Sequence, residues 1–187
     1  MSTSGDFANA AQGLAAALLA ATVNPADGVR LLSELANFTP DAPTTSSAIG
    51  QAMATMQDAS GDLFRRAAVV ALARASATYQ PSSQDDAVNI RTLVCGLLDQ
   101  EIETAGDQGE DATFSALRSL RQAVVQDLNT RGANLPSIKQ FSFNGALPAL
   151  VVATRIYRDA SRADELLSQA NPPHPAFMPR SFKALSK

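Results

Sequence analysis

The sequence predicts a mainly α chain: an antiparallel helical bundle followed by a small βααβ unit. Three observations predict it. Apolar residues make up 45% of the chain, yet aromatics are only 5% and Trp is absent. The apolar share therefore falls to Ala, Leu and Val, which suits closely packed helices better than a sheet-rich core. Apolar residues recur at three- and four-residue spacing between Ser47 and Arg131, the period of an amphipathic helix. After Gly132 the period drops to two for a few residues, the period of a strand. With 187 residues the chain is long enough for one domain, or one with a small appendage.

The elements follow in order. Residues 1–7 are small and polar and read as a loose tail, and Ala8 to Thr22 is an Ala-rich helix. Asn24-Pro25 restarts a helix, because Asn caps and Pro fits the first helical position. That helix is expected to reach about Phe38, with Val29, Leu32 and Leu35 on one side. Residues 39–46 hold two prolines and four hydroxyls and read as a linker, so 1–46 forms an N-terminal segment. The bundle proper is expected over 47–132. Its first helix starts at Ser47 and buries Ile49, Met53, Met56, Leu63, Ala67 and Val70; Met53 and Met56 read as core filler. Ser82 or Ser83 caps the next helix, with Asp85 and Asp86 in the first turn, where the helix dipole favours acids. Its stripe is Ala87, Ile90, Val94, Leu97 and Ile102, and Gly106 and Gly109 end it. A third helix from about Asp111 to Arg131 carries Phe114, Leu117, Leu120, Val124 and Leu128, with Gly132 at the C-terminal cap. Short links between the three predict antiparallel neighbours.

The βααβ unit is expected over 137–187. Ile138, Gln140 and Ser142 alternate in side with Lys139, Phe141 and Phe143, and Asn144-Gly145 turns the chain. Helices follow over Leu147–Tyr157 and Ser161–Ala170, the second capped by Ser161. Asn171-Pro-Pro-His-Pro175 forbids helix, and a strand is expected near 181–186. The expected core is Phe141 or Phe143, Leu150, Ile156, Leu166 and Phe177.

The net charge is −3, but residues 1–129 carry −8 and residues 130–187 carry +5. The acidic total argues against a nucleic-acid binder that works through bulk charge. The single cysteine, Cys95, excludes an internal disulfide and a Cys-rich zinc site, and in Leu93-Val94-Cys95 it reads as a small buried hydrophobe. No apolar run approaches the ~20 residues that span a bilayer, so no membrane is expected. One histidine, His174, lies between prolines in a loop. No nucleophile and base pair with it, so no catalytic residue is assigned. Asp99, Glu101 and Glu103 fan around a helix and read as a solvated face rather than metal ligands, and no metal or cofactor is expected. Arg65, Arg66 and Arg74 read as surface arginines pairing with Asp58 or Asp62. Arg155, Arg158 and Arg162 follow a three-to-four spacing that would line one helical side and could meet phosphates or acidic neighbours.

The tail carries a distinctive set of segments. They are Leu147-Pro-Ala-Leu-Val-Val-Ala-Thr-Arg-Ile-Tyr157, Arg158-Asp-Ala-Ser-Arg-Ala-Asp-Glu-Leu-Leu167 and Asn171-Pro-Pro-His-Pro-Ala-Phe-Met-Pro179. This set resembles the C-terminal end of the DNA circularisation (circulation) proteins of Mu-like contractile-tailed phages. The resemblance extends through Arg66-Ala-Ala-Val-Val-Ala-Leu-Ala-Arg-Ala75, Leu98-Asp-Gln-Glu-Ile102 and Asp127-Leu-Asn-Thr-Arg-Gly132, and covers about 60–187. Two positions depart from it: the family's glycine after the tyrosine is Arg158 here, and its final Gly-Gly is Arg180-Ser181. Members of that family carry a tail-tube-like β domain ahead of the helical region. Nothing here reads as one, so the chain is expected to be a C-terminal piece or a form lacking that domain. The same tail is similar to a LysM motif, with Glu165-Leu-Leu167, Asn171-Pro172 and Pro175-Ala-Phe177 matching in order.

These resemblances imply a virion structural protein of a phage tail or baseplate. It would dock other baseplate proteins, in a ring of copies, and be assembled in the host cytoplasm. Association with injected DNA ends is a further implication, one that the acidic half of the chain disfavours. The alternative is a LysM module on a helical stalk that binds peptidoglycan or chitin. On either reading the contact residues expected are Arg155, Arg158, Arg162, Asn171, His174 and Phe177.

Overall fold

The computed structural model describes residues 4–41 and 47–186, and the fold is mainly α with a small two-stranded antiparallel sheet near the C-terminus. The elements are α1 (Ser4–Ala21), α2 (Pro25–Ala36), α3 (Ala48–Thr78), α4 (Gln84–Asp107), α5 (Asp111–Gly132), β1 (Ile138–Ser142), α6 (Ala149–Tyr157), a 3-10 turn (Ala160–Arg162), α7 (Ala163–Ala170) and β2 (Ser181–Leu185). Contacts divide the chain into two compact units: residues 1–80 with 89–130, and residues 81–88 with 131–187. Most of the expected linker, residues 42–46, lies outside the described residues.

In the first unit α1 begins at Ser4 rather than Ala8. The early turn is held by packing, since the Phe7 ring meets Phe64 edge-on at 6.1 Å. Asn24 caps α2 by accepting a hydrogen bond from the Ala26 amide at 3.0 Å, and Pro25 takes the first position, as the sequence predicts. Phe38, just past α2, also meets Phe64 edge-on, at 6.2 Å. Ser47 caps α3 through the Gly50 amide at 3.1 Å. One apolar cluster joins all five helices, centred on Leu32, Val69, Leu72, Val94, Leu98 and Leu128. Thus α1 and α2 complete the core that α3, α4 and α5 would otherwise expose.

The helices run antiparallel as expected, which their polar ties make plain. Asp62 accepts from Gln108 and Arg65 reaches Glu101, while Arg91 donates to Asn129 and Arg121 grips Asp99. Rising numbers on one helix meet falling numbers on the next. Gly109, with φ of +72°, turns the chain between α4 and α5. Cys95 is buried, as its neighbours predict.

Three expectations for α3, α4 and α5 fail. Ile49, Met53 and Met56 are exposed (74%, 51% and 71%), so only the second half of the α3 stripe is core. The reason is geometric: the Phe38 and Pro40 contacts place the end of α2 beside Phe64 and Gly61, and the described core residues of α3 begin at Ala67. Glu101 is buried at 3%, not solvated, because it lies in line with Val94, Leu98 and Ala105 on the inner face of α4. Gly132 is the last residue of α5 rather than a left-handed cap. Its role is close approach, since a Cβ there would sit 2.8 Å from the Ala87 Cβ.

The second unit opens with the start of α4. Ser83 accepts from the Asp86 amide at 3.0 Å, and Asp86 in turn accepts from the Ser82 amide at 2.8 Å. The Asp85 carboxylate accepts from the Ile138 amide at 2.6 Å and so fixes where β1 begins. β1 and β2 pair antiparallel, with Ile138 opposite Leu185 and Phe141 opposite Phe182. Phe143 stacks on Phe182 at 6.0 Å. The core is Val152, Ala153, Tyr157, Leu166, Met178, Phe182 and Ala184, with Phe141, Phe143 and Ile156 packed against it. The order β1–α6–α7–β2 and the strand pairing match the sequence expectation; the core list matches it in part.

Candidate functional site

The functional residues expected from sequence lie at the end of α6, in the 3-10 turn after it and in the loop between α7 and β2, and the structure separates them into two groups. The first is arginine. Arg155 is exposed on the last turn of α6. Arg158 ends that helix in the left-handed region, with φ of 58° and its amide bonded to the Thr154 carbonyl at 3.0 Å. Arg162 lies beyond it, in the 3-10 turn that Asp159 caps through the Ser161 amide at 2.9 Å. The expected single arginine-lined helical side is therefore absent, because the helix stops between the second and third arginine. Ser161 likewise caps no helix; its amide and hydroxyl both donate to Asp159, which holds that carboxyl below its ordinary range.

Arg162 is committed within the chain. Its Nε and Nη2 grip both oxygens of Glu165 at 2.8 and 2.7 Å, and its guanidinium lies 3.9 Å from the centre of the Tyr157 ring. A two-pronged bond of this kind is strong and directional. The same hydrogen bonds push the Glu165 carboxyl below its usual range, while burial pushes the Tyr157 phenol up. Arg162 also lines a polar cleft of about 420 Å³ with Gln84, Asn134, Ser137 and Ser186.

The second group is the end of the unit formed by residues 143–150 and 171–180. Asn171 closes α7 in the left-handed region, at φ of 41°, where Asn is tolerated better than most residues. His174 Nδ1 accepts from the Ala176 amide at 3.0 Å, and its ring lies 5.9 Å from that of Phe177. Main-chain bonds stitch the two loops together: Ala149 N–H to Pro175 O at 2.8 Å, Met178 N–H to Leu147 O at 3.0 Å, and Phe143 N–H to Arg180 O at 2.7 Å. Met178 then turns inward and is fully buried, while its neighbour Phe177 is left 67% exposed. Leu150, next to Ala149, is 61% exposed, and Val151 is exposed as well. The sequence placed Leu150 and Phe177 in the core; the structure leaves both exposed. They lie on segments that the Ala149–Pro175 bond joins.

Sequence reasoning missed Leu150 and Val151 as surface residues. They follow Pro148, so the helix begins only at Ala149 and its inward face falls on Ala149, Val152 and Ala153. Among the described residues no three His, Cys, Asp or Glu side chains gather as a metal site would need. Among them, too, no helix is long and apolar enough to cross a membrane. No protein-family model matches the chain, and no curated protein matches it.

Proposed function

We propose that the chain is a non-catalytic docking module, a structural part of a contractile phage tail or baseplate of the Mu-like DNA circularisation protein type. Its C-terminal βααβ unit engages another protein of the particle. The observation that carries this reading is the exposure of Leu150, Val151 and Phe177, on segments that the Ala149–Pro175 bond joins. Exposed apolar side chains gathered at one place mark interaction surfaces. The segment resemblance over 147–179 supplies the phage setting.

The same segments weigh against a glycan ligand. A sugar polymer needs free hydrogen-bonding groups beside an aromatic face, and here several main-chain groups of the two loops are already paired with each other. Contact with DNA also loses support. Arg155, Arg158 and Arg162 do not share one helix face, and Arg162 is held by Glu165.

Two measurements test the proposal. The intact chain is mixed with insoluble peptidoglycan and with chitin and centrifuged; it should stay in the supernatant. Sedimentation with either polymer, lost on Phe177→Ala, overturns the docking reading in favour of the LysM alternative. Mass spectrometry of purified tail particles should find the chain at stoichiometric level. Its absence from the particle removes the phage setting.

A further inference from the structure

We infer that the first half of α3 pairs with the same segment of a second copy of this chain, antiparallel, about a twofold axis near Ala54. The inference is independent of the reading above, since it concerns the other compact unit and none of the loop-end residues.

Residues 48–60 span about 20 Å of helix at 1.5 Å per residue. On this stretch Ile49, Ala52, Met53, Met56 and Ala59 are all exposed. At 100° per residue they share one face, and Asp58 falls on the far side. A shallow apolar groove of about 580 Å³ lies along the face, between Ala48 and Gln57. No charged residue occurs from 42 to 57.

The occupant is argued from the pattern itself. Ile49 and Met56 are seven apart, as are Ala52 and Ala59, so large and small residues alternate along the seam. Antiparallel pairing about Ala54 sets Ile49 against the second copy's Ala59, and Ala52 against its Met56. Each large side chain then meets a small one, and the twofold repeats both contacts. Met53 flanks the seam near the axis and faces its own copy. Parallel pairing would set Ile49 on Ile49 and Ala52 on Ala52, giving a crowded layer and then a hollow one. The face is uncharged, so nothing on it selects a basic or acidic partner, and the two Asp58 carboxylates stay on outer sides. A seam of this length buries an area at the low end for specific interfaces, below ~1,200 Å² in total. The association is therefore weak and concentration-dependent.

Sedimentation equilibrium of the whole chain, from low micromolar to several hundred micromolar, tests this. A monomer–dimer equilibrium is expected, weakened at least about tenfold by Met56→Asp, with far-UV CD unchanged. A second measurement reads the direction. In a Cys95→Ala background, Met53→Cys should form an intermolecular disulfide under mild oxidation, and Ile49→Cys, set some 15 Å from its own copy by the 1.5 Å rise, should not. A chain that stays monomeric throughout overturns the inference. So does a dimer indifferent to Met56→Asp, or an Ile49→Cys link as efficient as the Met53→Cys link.

Discussion

Glu101 is the buried charged residue among the described residues, and its replacement by Met gives a sharp test of how α3 and α4 are held together. The change keeps most of the side-chain volume and deletes the carboxylate. Arg65 then loses the acceptor of its Nε at 2.8 Å, and Arg66 loses an ion-pair partner at 3.6 Å. Both arginines keep other partners. Arg65 still pairs with Asp62 and donates to the Phe38 carbonyl at 3.0 Å, while Arg66 still reaches Glu110 and Gln108 at 2.6 Å each. Breaking a buried pair from one side costs roughly 3–5 kcal/mol, because the remaining charge is left uncompensated. The arginine side chains are 20% and 19% exposed, so water and the surviving partners absorb part of that cost. The expected loss for Glu101→Met is about 2–3 kcal/mol. Adding Arg65→Met removes one of the stranded charges, so the double variant should lose less than the sum, with a coupling of about 1–2 kcal/mol. Urea unfolding followed by far-UV CD measures both. The control is Arg30→Met, which breaks a long ion pair of 3.7 Å whose partners are 75% and 56% exposed, and should shift the midpoint very little. A midpoint shift for Glu101→Met no larger than the control, or strict additivity in the double variant, would refute the reasoning.

Four further outcomes are expected. Arg158→Gly should stabilise the C-terminal unit by up to about 1 kcal/mol, because relief of a left-handed non-glycine residue, ~1–2 kcal/mol, exceeds the added freedom of the unfolded chain, ~0.5–1 kcal/mol; a lower urea midpoint sinks this. Gly132→Ala should cost about 1–3 kcal/mol by forcing a methyl 2.8 Å from the Ala87 Cβ, and Ala87→Gly in the same chain should return part of the loss. The Glu165 carboxyl is held low by Arg162, so its contribution is present above the ordinary glutamate range and is lost as pH falls through the folded value. A urea series at descending acid pH should therefore show the native protein losing more stability than Arg162→Met, and parallel curves count against the pairing. Burial pushes the Cys95 thiol up, so an aromatic disulfide reagent at neutral pH should label the native chain far more slowly than the urea-unfolded chain.

What the sequence made legible were features whose cause is local. Asn24-Pro25 carries its own cap and its own fixed backbone angle, so the start of α2 could be read to the residue. The start of α4 at Ser82-Ser83, with Asp86 in its first turn, and the alternation of Lys139, Phe141 and Phe143 are of the same kind, although only the structure picks Ser83 as the cap. What was not legible depends on partners far along the chain. Glu101 looked like one of three acids on a helix surface until two arginines of α3 came to face it. The clue was available, since Val94, Leu98, Glu101 and Ala105 share one helical face and Arg65-Arg66 is a ready counter-charge. Spacing alone cannot say that those two helices meet there. The candidate site shows the same division. That the loop after α7 is non-helical follows from its prolines. That Phe177 faces out while Met178 faces in follows from a main-chain bond to Leu147, some thirty residues earlier.

The α3 stripe shows where periodicity stops being informative. Ile49, Met53, Met56, Leu63 and Ala67 keep one helical period, and from sequence nothing separates the first three from the last two. In the structure the division falls where the end of α2 reaches Gly61 and Phe64: beyond it α3 is covered by α1, α2 and α4, and before it the apolar face is bare. A periodic apolar face records that burial stabilises the helix; it carries no record of which molecule supplies the cover. Part of that face is covered by this chain. For the rest, the alternation of Ile49 and Met56 with Ala52 and Ala59 is the one feature that discriminates among partners, because it complements itself only in the reversed direction. A face selected merely for solubility would not retain two methionines and an isoleucine in water. A face selected for a partner of opposite charge would not leave the whole of residues 42–57 without a single ionisable side chain.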